Sequence, residues 1–209
     1  MKVKKLFIHC LKSAKGQELK SLKVLKSGFL NDRNVAVVDV DNKIITGREF
    51  PKLLSVASAI INNHLELREG SSISQFFKLP DSKEEAIEIK LFRNITKGVP
   101  FGIEASRYIS KLLRGEFRLV YLGGNFRVVS PKRGGRDGEI TGYADSAPVH
   151  LISLSTMKYL NSKLSNKVSA RNFRTSWNTI FTVDTRRFSS FIFQFATAAI
   201  HVYCHFNVL

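Results

Sequence analysis

A chain of 209 residues is long enough for one large domain or two small ones with a true core, and 44% hydrophobic and 24% charged residues are ordinary for a globular protein. A formal net charge of +16 is not ordinary, and it admits nucleic acid, an anionic membrane or an acidic partner as ligands. Only two cysteines, Cys10 and Cys204, are present, which excludes a disulfide scaffold and fits a reducing compartment.

The charge gathers early: Lys2, Lys4, Lys5, Lys12, Lys15, Lys20, Lys23 and Lys26 face Glu18 alone before residue 30. No zinc finger, basic zipper or aromatic–basic array accompanies it. Specific nucleic-acid binding is therefore disfavoured, and a basic soluble surface is the reading adopted. No signal peptide opens the chain, because Lys2, Lys4 and Lys5 interrupt its first residues.

Val3 to His9 reads as a first strand. Gly28 to Asn34 is turn-like, and Val35 to Val40 is a nearly continuous apolar strand that turns at Asp41-Asn42 into a hairpin ending at Thr46. Leu53 to Ile61 and His64 to Leu67 form a strand pair about Asn62-Asn63. Gly70 to Lys83 is rich in serine and reads as a loop. Ala86 to Phe92 alternates Ile87, Ile89 and Leu91 against Glu88 and Lys90, as a half-buried strand does.

Ile103 to Leu113 switches to helical spacing, with Ala105, Ile109, Leu112 and Leu113 on one side. Phe117 to Leu122 returns to strand. Gly123 to Gly142 is a long loop rich in glycine and arginine, of the length that is usually functional or disordered. Val149 to Ile152 is a strand. Ser153 or Ser155 caps the helix that follows, whose Leu154, Met157, Leu160 and Leu164 share a face. Many strands and few helices predict a β-rich α+β fold. After Arg174 the character changes. Phe188 to Leu209 carries no Asp, Glu, Lys or Arg and is long enough to span a bilayer, but Ser189, Ser190, Gln194, Thr197, His201, His205 and Asn207 dilute it.

Cations and hydroxyls recur at predicted loops: Lys12-Ser13, Asp32-Arg33, Thr46 with Arg48, Asp145-Ser146 and Arg174. Lysine and arginine neutralise phosphate, arginine in a fork, and serine adds hydrogen bonds; aspartate holds an arginine in place or accepts from ligand N–H groups. By spacing alone each pair is a weak signal and reads first as a solvated charge or a structural ion pair. His9, His64 and His150 show no metal-ligand spacing.

Several segments in order resemble one family. They are LFIHCLKS (Leu6 to Ser13), the Asn31-Asp32-Arg33 turn, ITGREFPKL (Ile45 to Leu53), RLVYL (Arg118 to Leu122), YADSAPVHLIS (Tyr143 to Ser153), then SLSTMKYLNSKL and KVSARNFR. The chain resembles MOSC-domain proteins with an amino-terminal β-barrel domain, and most of all the mitochondrial amidoxime-reducing component group. The resemblance implies a MOSC N-terminal β-barrel-like domain over residues 1–93, a partial MOSC domain over 94–174 and a divergent tail over 175–209. It also implies a molybdenum cofactor, with Lys12, Ser13 and Arg33 contacting it from the first domain and Asp145, Ser146 and Arg174 from the second. The activity implied is molybdenum-dependent reduction of N-hydroxylated compounds such as amidoximes, fed by NADH through a flavin reductase and a haem cytochrome. Pyridoxal phosphate enters only by family association, since MOSC modules also occur beside sulfurtransferase domains; no Schiff-base lysine motif is evident here.

The chain departs from the family at two places. Where the family has Tyr-Pro ahead of Lys-Ser, His9-Cys10 stand here, and Cys10 reads as a small buried residue. The family's cysteine loop, whose thiolate ligates molybdenum, has no match after Arg174. Cys204, in an apolar setting, is disfavoured as that ligand. No protein metal ligand is therefore assigned, and the alternative is a truncated, non-catalytic MOSC isoform from which cofactor binding is lost or weakened. The expected location is cytoplasmic, with membrane association, at the mitochondrial outer membrane or through the tail, as the lesser expectation.

Overall fold

The computed structural model describes residues 2–129, 131, 135, 137–145, 147–173 and 177–180. The α+β, β-rich class expected from the sequence is the class observed. Strand β1 (Lys2–Ile8) pairs antiparallel with β2 (Gln17–Leu19). Its register with the strand on its other side shifts between Val3 and Lys5. That irregularity lets Lys4 and Lys5 both face water while Val3, Leu6, Phe7 and Ile8 stay buried. Short strands β3 (Val24–Leu25) and β4 (Gly28–Phe29) form a hairpin of their own.

Strand β5 (Val35–Val38) is buried along its whole length. Val35 and Val37 join one apolar cluster, while Ala36 and Val38 join another on the opposite face. A strand covered on both faces needs a continuous apolar run rather than alternation, which is what these residues supply. The hairpin expected through Thr46 closes as backbone contacts rather than as a second strand: Asp39 N–H donates to Lys43 O at 3.0 Å and Ile45 N–H to Val37 O at 3.0 Å.

The strand expected over Leu53 to Ile61 begins later. Pro51 starts a 3-10 turn (Pro51–Ser55), and β6 (Val56–Ile61) follows. Proline's fixed φ suits the first position of such a turn and its missing N–H suits a ladder poorly. β6 pairs with β7 (His64–Glu69) about Asn62-Asn63, with Ile61 opposite His64. Both asparagines have positive φ, 47° and 61°, the backbone of the two-residue turn that matches strand twist. Asn63→Val is expected to cost about 1–2 kcal/mol and Asn63→Gly nothing. Urea unfolding of the two variants reads the difference, and equal midpoints would contradict it. The stretch expected to be a loop over Gly70 to Lys83 contains β8 (Gln75–Lys78), paired with β7. Its apolar pair Phe76-Phe77 was hidden among turn residues.

Strand β9 (Ile87–Leu91) pairs with β10 (Asn94–Pro100), an element without a sequence signal because Asn94, Lys97, Gly98 and Pro100 are poor strand formers. Helix α1 (Ile103–Leu113) follows, as expected, and buries Ala105, Ile109 and Leu113. It ends at Arg114, whose φ of 58° places it in the left-handed cap conformation. β11 (Arg118–Tyr121) completes a sheet in the order β5-β11-β10-β9. α1 packs on β11 on the side of the first cluster, with Leu53, Leu65, Leu67 and Leu119.

The long loop expected over Gly123 to Gly142 carries a small ladder, β12 (Arg127–Val128) against β13 (Ile140–Thr141). β14 (Leu151–Ser153) leads into α2 (Leu154–Lys163), whose cap is Ser153: its Oγ accepts from Thr156 N–H at 3.0 Å. Met157 is buried, Leu154 and Leu160 are half-buried, and Leu164, at the C-cap, is exposed. Beyond the expected break, β15 (Trp177–Ile180) pairs antiparallel with β1 and parallel with β14. The sheet order β14-β15-β1-β2 thus joins the chain's opening strand to one beyond Arg174. No described helix is long and apolar enough to cross a membrane. The segment Phe188 to Leu209 lies outside the described residues.

Candidate anion-binding site

The site begins with the way β1 ends. Instead of continuing along its sheet, the chain hooks onto the start of β5. Val35 N–H donates to Cys10 O at 3.1 Å and Lys12 N–H donates to Val35 O at 2.8 Å. Ser13 takes a left-handed φ of 69° and turns the chain away. Lys12 is thereby carried inward, with only 6% of it exposed.

The turn Asn31-Asp32-Arg33 is fastened to the same backbone. His9 N–H donates to Asp32 Oδ1 at 2.7 Å, and Arg33 N–H donates to His9 O at 2.8 Å. Asn31 and Arg33 both have positive φ, 64° and 53°, a conformation asparagine tolerates and arginine adopts at a cost. Asp32 also pairs with the guanidinium of its neighbour, Arg33. The buried aspartate therefore sets the turn through the His9 amide and orients the arginine through its second oxygen.

The third wall comes from residues 142–145. Tyr143 N–H donates to Arg33 O at 3.0 Å. A Cβ at Gly142 would stand 3.0 Å from that same carbonyl and 3.2 Å from Leu122 Cδ2, so a side chain there would fit only if these neighbours gave by a few tenths of an ångström. Lys12 Nζ donates to Tyr143 O at 2.8 Å and pairs with the carboxylate of Asp145. Arg127, on β12, donates through Nε to Gly142 O at 3.2 Å and through its outer nitrogen to Ala144 O. Arg127 thus splints the segment that holds Lys12.

Charge decides what this arrangement suits. Burial pulls the Lys12 ammonium below the ordinary lysine range. Asp145 opposes that pull, while Arg33 and Arg127 add to it by repulsion. Lys12, Arg33 and Arg127 act on one small volume, with Asp32 and Asp145 as carboxylate counter-charges. A bound anion relieves the repulsion and the desolvation together. His150 lies near enough for Arg33 to lower its pKa, after the larger effect of burial.

Among the described residues, no three His, Cys, Asp or Glu gather to hold a metal. Cys10 is fully buried, and burial followed by the charge of Asp32 pushes its thiol far above the ordinary range, so it is a protonated core group rather than a thiolate.

Of the residues named from the sequence, Lys12, Arg33 and Asp145 come together, and Ser13 lies buried in the turn beside them. Ser146, Arg174 and Cys204 lie outside the described residues. Thr46 and Arg48 belong elsewhere: Thr46 caps a local turn with Glu49, its N–H donating to Glu49 Oε2 at 2.9 Å. Sequence reasoning missed Arg127 and the Tyr143 carbonyl. Arg127 sat in a loop with several arginines and nothing in its spacing marked it, and a backbone oxygen leaves no trace in a sequence.

The family model for the MOSC N-terminal beta barrel domain matches residues 1–116. Across 184 residues the chain is 28% identical to mitochondrial amidoxime-reducing component 1 of Danio rerio, covering 83% of this chain and 56% of that protein. It is 27% identical over 186 residues to the component 1 protein of Xenopus laevis, covering 82% and 53%. It is 30% identical over 184 residues to mitochondrial amidoxime reducing component 2 of Rattus norvegicus, covering 82% and 54%. The chain spans about half the length of the curated relatives it matches.

Proposed function

From the premise that this chain belongs to the family of the MOSC N-terminal β-barrel domain, we propose that Lys12 and Arg33 hold the phosphate of a molybdenum-bearing pterin cofactor, with Arg127 adding positive charge beside them. The observation that carries this reading is the buried Lys12, crowded by two arginines and anchored to Tyr143 O and Asp145. The donors fit the anionic part of such a cofactor: an ammonium and two guanidiniums neutralise a phosphate, and the two carboxylates keep the cations in place when it is absent. Ser13, Ser146 and Arg174 belong to the same reading as further cofactor contacts.

Bound there, the cofactor would supply two-electron removal of oxygen from the nitrogen of an N-hydroxylated substrate, with electrons from NADH relayed through a flavin reductase and a haem cytochrome. The part played by this chain is to bind and orient. Lys12 and Arg33 fix the phosphate. Asp32 fixes Arg33. Arg127 fixes the 142–145 segment on which Asp145 stands. The likeness to proteins named amidoxime-reducing components supports the substrate class.

A second reading is a cofactor-binding but non-catalytic MOSC protein; among the described residues the one cysteine, Cys10, is a buried core residue. One preparation separates the two. The chain is made in cells that produce the cofactor, and its molybdenum and pterin are measured alongside amidoxime reduction with the electron-transfer partners added. Both near one per chain, with reduction, support the reductase. Pterin without turnover supports the second reading. Absence of both pterin and molybdenum sinks the cofactor assignment.

A further inference from the structure

The hairpin between β9 and β10 turns through two residues, Phe92 and Arg93, with Leu91 paired to Asn94. Phe92 takes a φ of 55°. Glycine and asparagine take that conformation readily, and a bulky aromatic does so only where something else is served. The core does not account for it. Leu91, next to it, is buried, whereas Phe92 is 48% exposed and belongs to neither apolar cluster. What the turn does is place the ring beside the site: the Lys12 ammonium stands 5.6 Å from its centroid. That distance lies within cation–π range, so the ring and an anion on Lys12 would be neighbours.

We propose that Phe92 is the stacking wall of the Lys12 site, selecting anions carried on a flat conjugated ring over bare anions of the same charge. This rests on the anion reading of Lys12, Arg33 and Arg127. The chemical argument is division of labour. Hydrogen bonds and charge hold a phosphate whatever it is attached to, and discriminate little between its carriers. A half-exposed aromatic face adds contact only for a planar partner, because offset stacking needs a second π-face. Asp145, 55% exposed at its side chain, stands beside Lys12 and leaves the site open to solvent, as a carrier ring requires.

The test uses the chain as it exists, with inorganic phosphate and 6-hydroxymethylpterin monophosphate as probes. Binding is read by calorimetry, and for the second probe also by its fluorescence. Wild type is expected to prefer the pterin phosphate by about tenfold, the scale of one stacked base on one aromatic residue. Phe92→Leu keeps an apolar side chain without a π-face and should erase that preference while changing inorganic phosphate affinity less than about twofold. Phe92→Trp should retain the preference, and its retention shows that the site is intact with an altered residue at this turn. If Phe92→Leu keeps the preference, or weakens both probes equally, the stacking wall is overturned while the anion site stands. If wild type binds neither probe, the anion reading falls and this inference with it.

Discussion

Lys12→Met is expected to weaken phosphate binding by about 30- to 150-fold, the equivalent of 2–3 kcal/mol for a lost charge-assisted contact in a desolvated place. The fold should change little. Methionine has nearly the length of lysine and suits the apolar ring of Phe92 beside it. Asp145, whose side chain is 55% exposed, is already in contact with water when the ammonium is removed. The removal leaves Tyr143 O without its side-chain donor, a cost offset by no longer burying a charge. Calorimetry with phosphate and urea unfolding together test this. A lost fold would make the affinity meaningless, and unchanged affinity would remove Lys12 from the site. The pH dependence gives a second check with sulfate, which does not itself titrate in the range. Because burial lowers the Lys12 pKa, sulfate affinity should fall as pH rises through a value below that of an ordinary lysine. The Lys12→Met chain should lack that step.

Gly98→Ala is expected to be strongly destabilising, costing about 2–3 kcal/mol. A Cβ there would sit 2.3 Å from the hydroxyl oxygen of Tyr143 and 3.2 Å from Val120 Cβ. Tyr143 is fully buried, burial pushes its hydroxyl well above the ordinary tyrosine range, and that hydroxyl donates to Lys97 O at 3.1 Å. The ring has nowhere to go, packed with Ile89, Leu91, Val120 and Leu122. Tyr143→Phe alone should cost about 1 kcal/mol for the hydrogen bond to Lys97 O. Combined with Gly98→Ala it should remove the colliding atom, so the pair costs less than the sum of the two by about 1–2 kcal/mol. Strict additivity in a urea-unfolding cycle would contradict this. The same substitution reaches function, because the Tyr143 carbonyl is the acceptor for Lys12. Gly98→Ala should therefore weaken phosphate binding, and Tyr143→Phe, which keeps that carbonyl, should not.

The elements that local pattern could reveal were those whose burial follows their own period. Helix α1 matches its apolar spacing, and β5 is the continuous apolar run that two-sided burial demands. The elements that escaped are held by their neighbours. β10 carries Asn94, Gly98 and Pro100 and exists because β9 and β11 flank it. β8 exists because β7 offers an edge. At the site, the side chains that touch an anion were legible as charged residues in predicted turns. Arg127 was not, since its work is done on the carbonyls of Gly142 and Ala144.

The sequence by itself determined that this is a basic, β-rich α+β protein, and that Lys12, Asp32, Arg33 and Asp145 stand in or beside turns. Those properties depend on composition and on patterns within a few residues. Only the tertiary structure decided that these turns meet. Lys12 and Tyr143 are 131 positions apart, yet one hydrogen bond joins them, because β1 hands its chain to the edge of β5 and residues 142–145 close over the turn at Arg33. Pairings at such separation depend on which backbone groups remain unsatisfied after local structure forms. Burial then turns an ordinary surface lysine into a desolvated cation between two arginines, which has a physical reason to seek an anion.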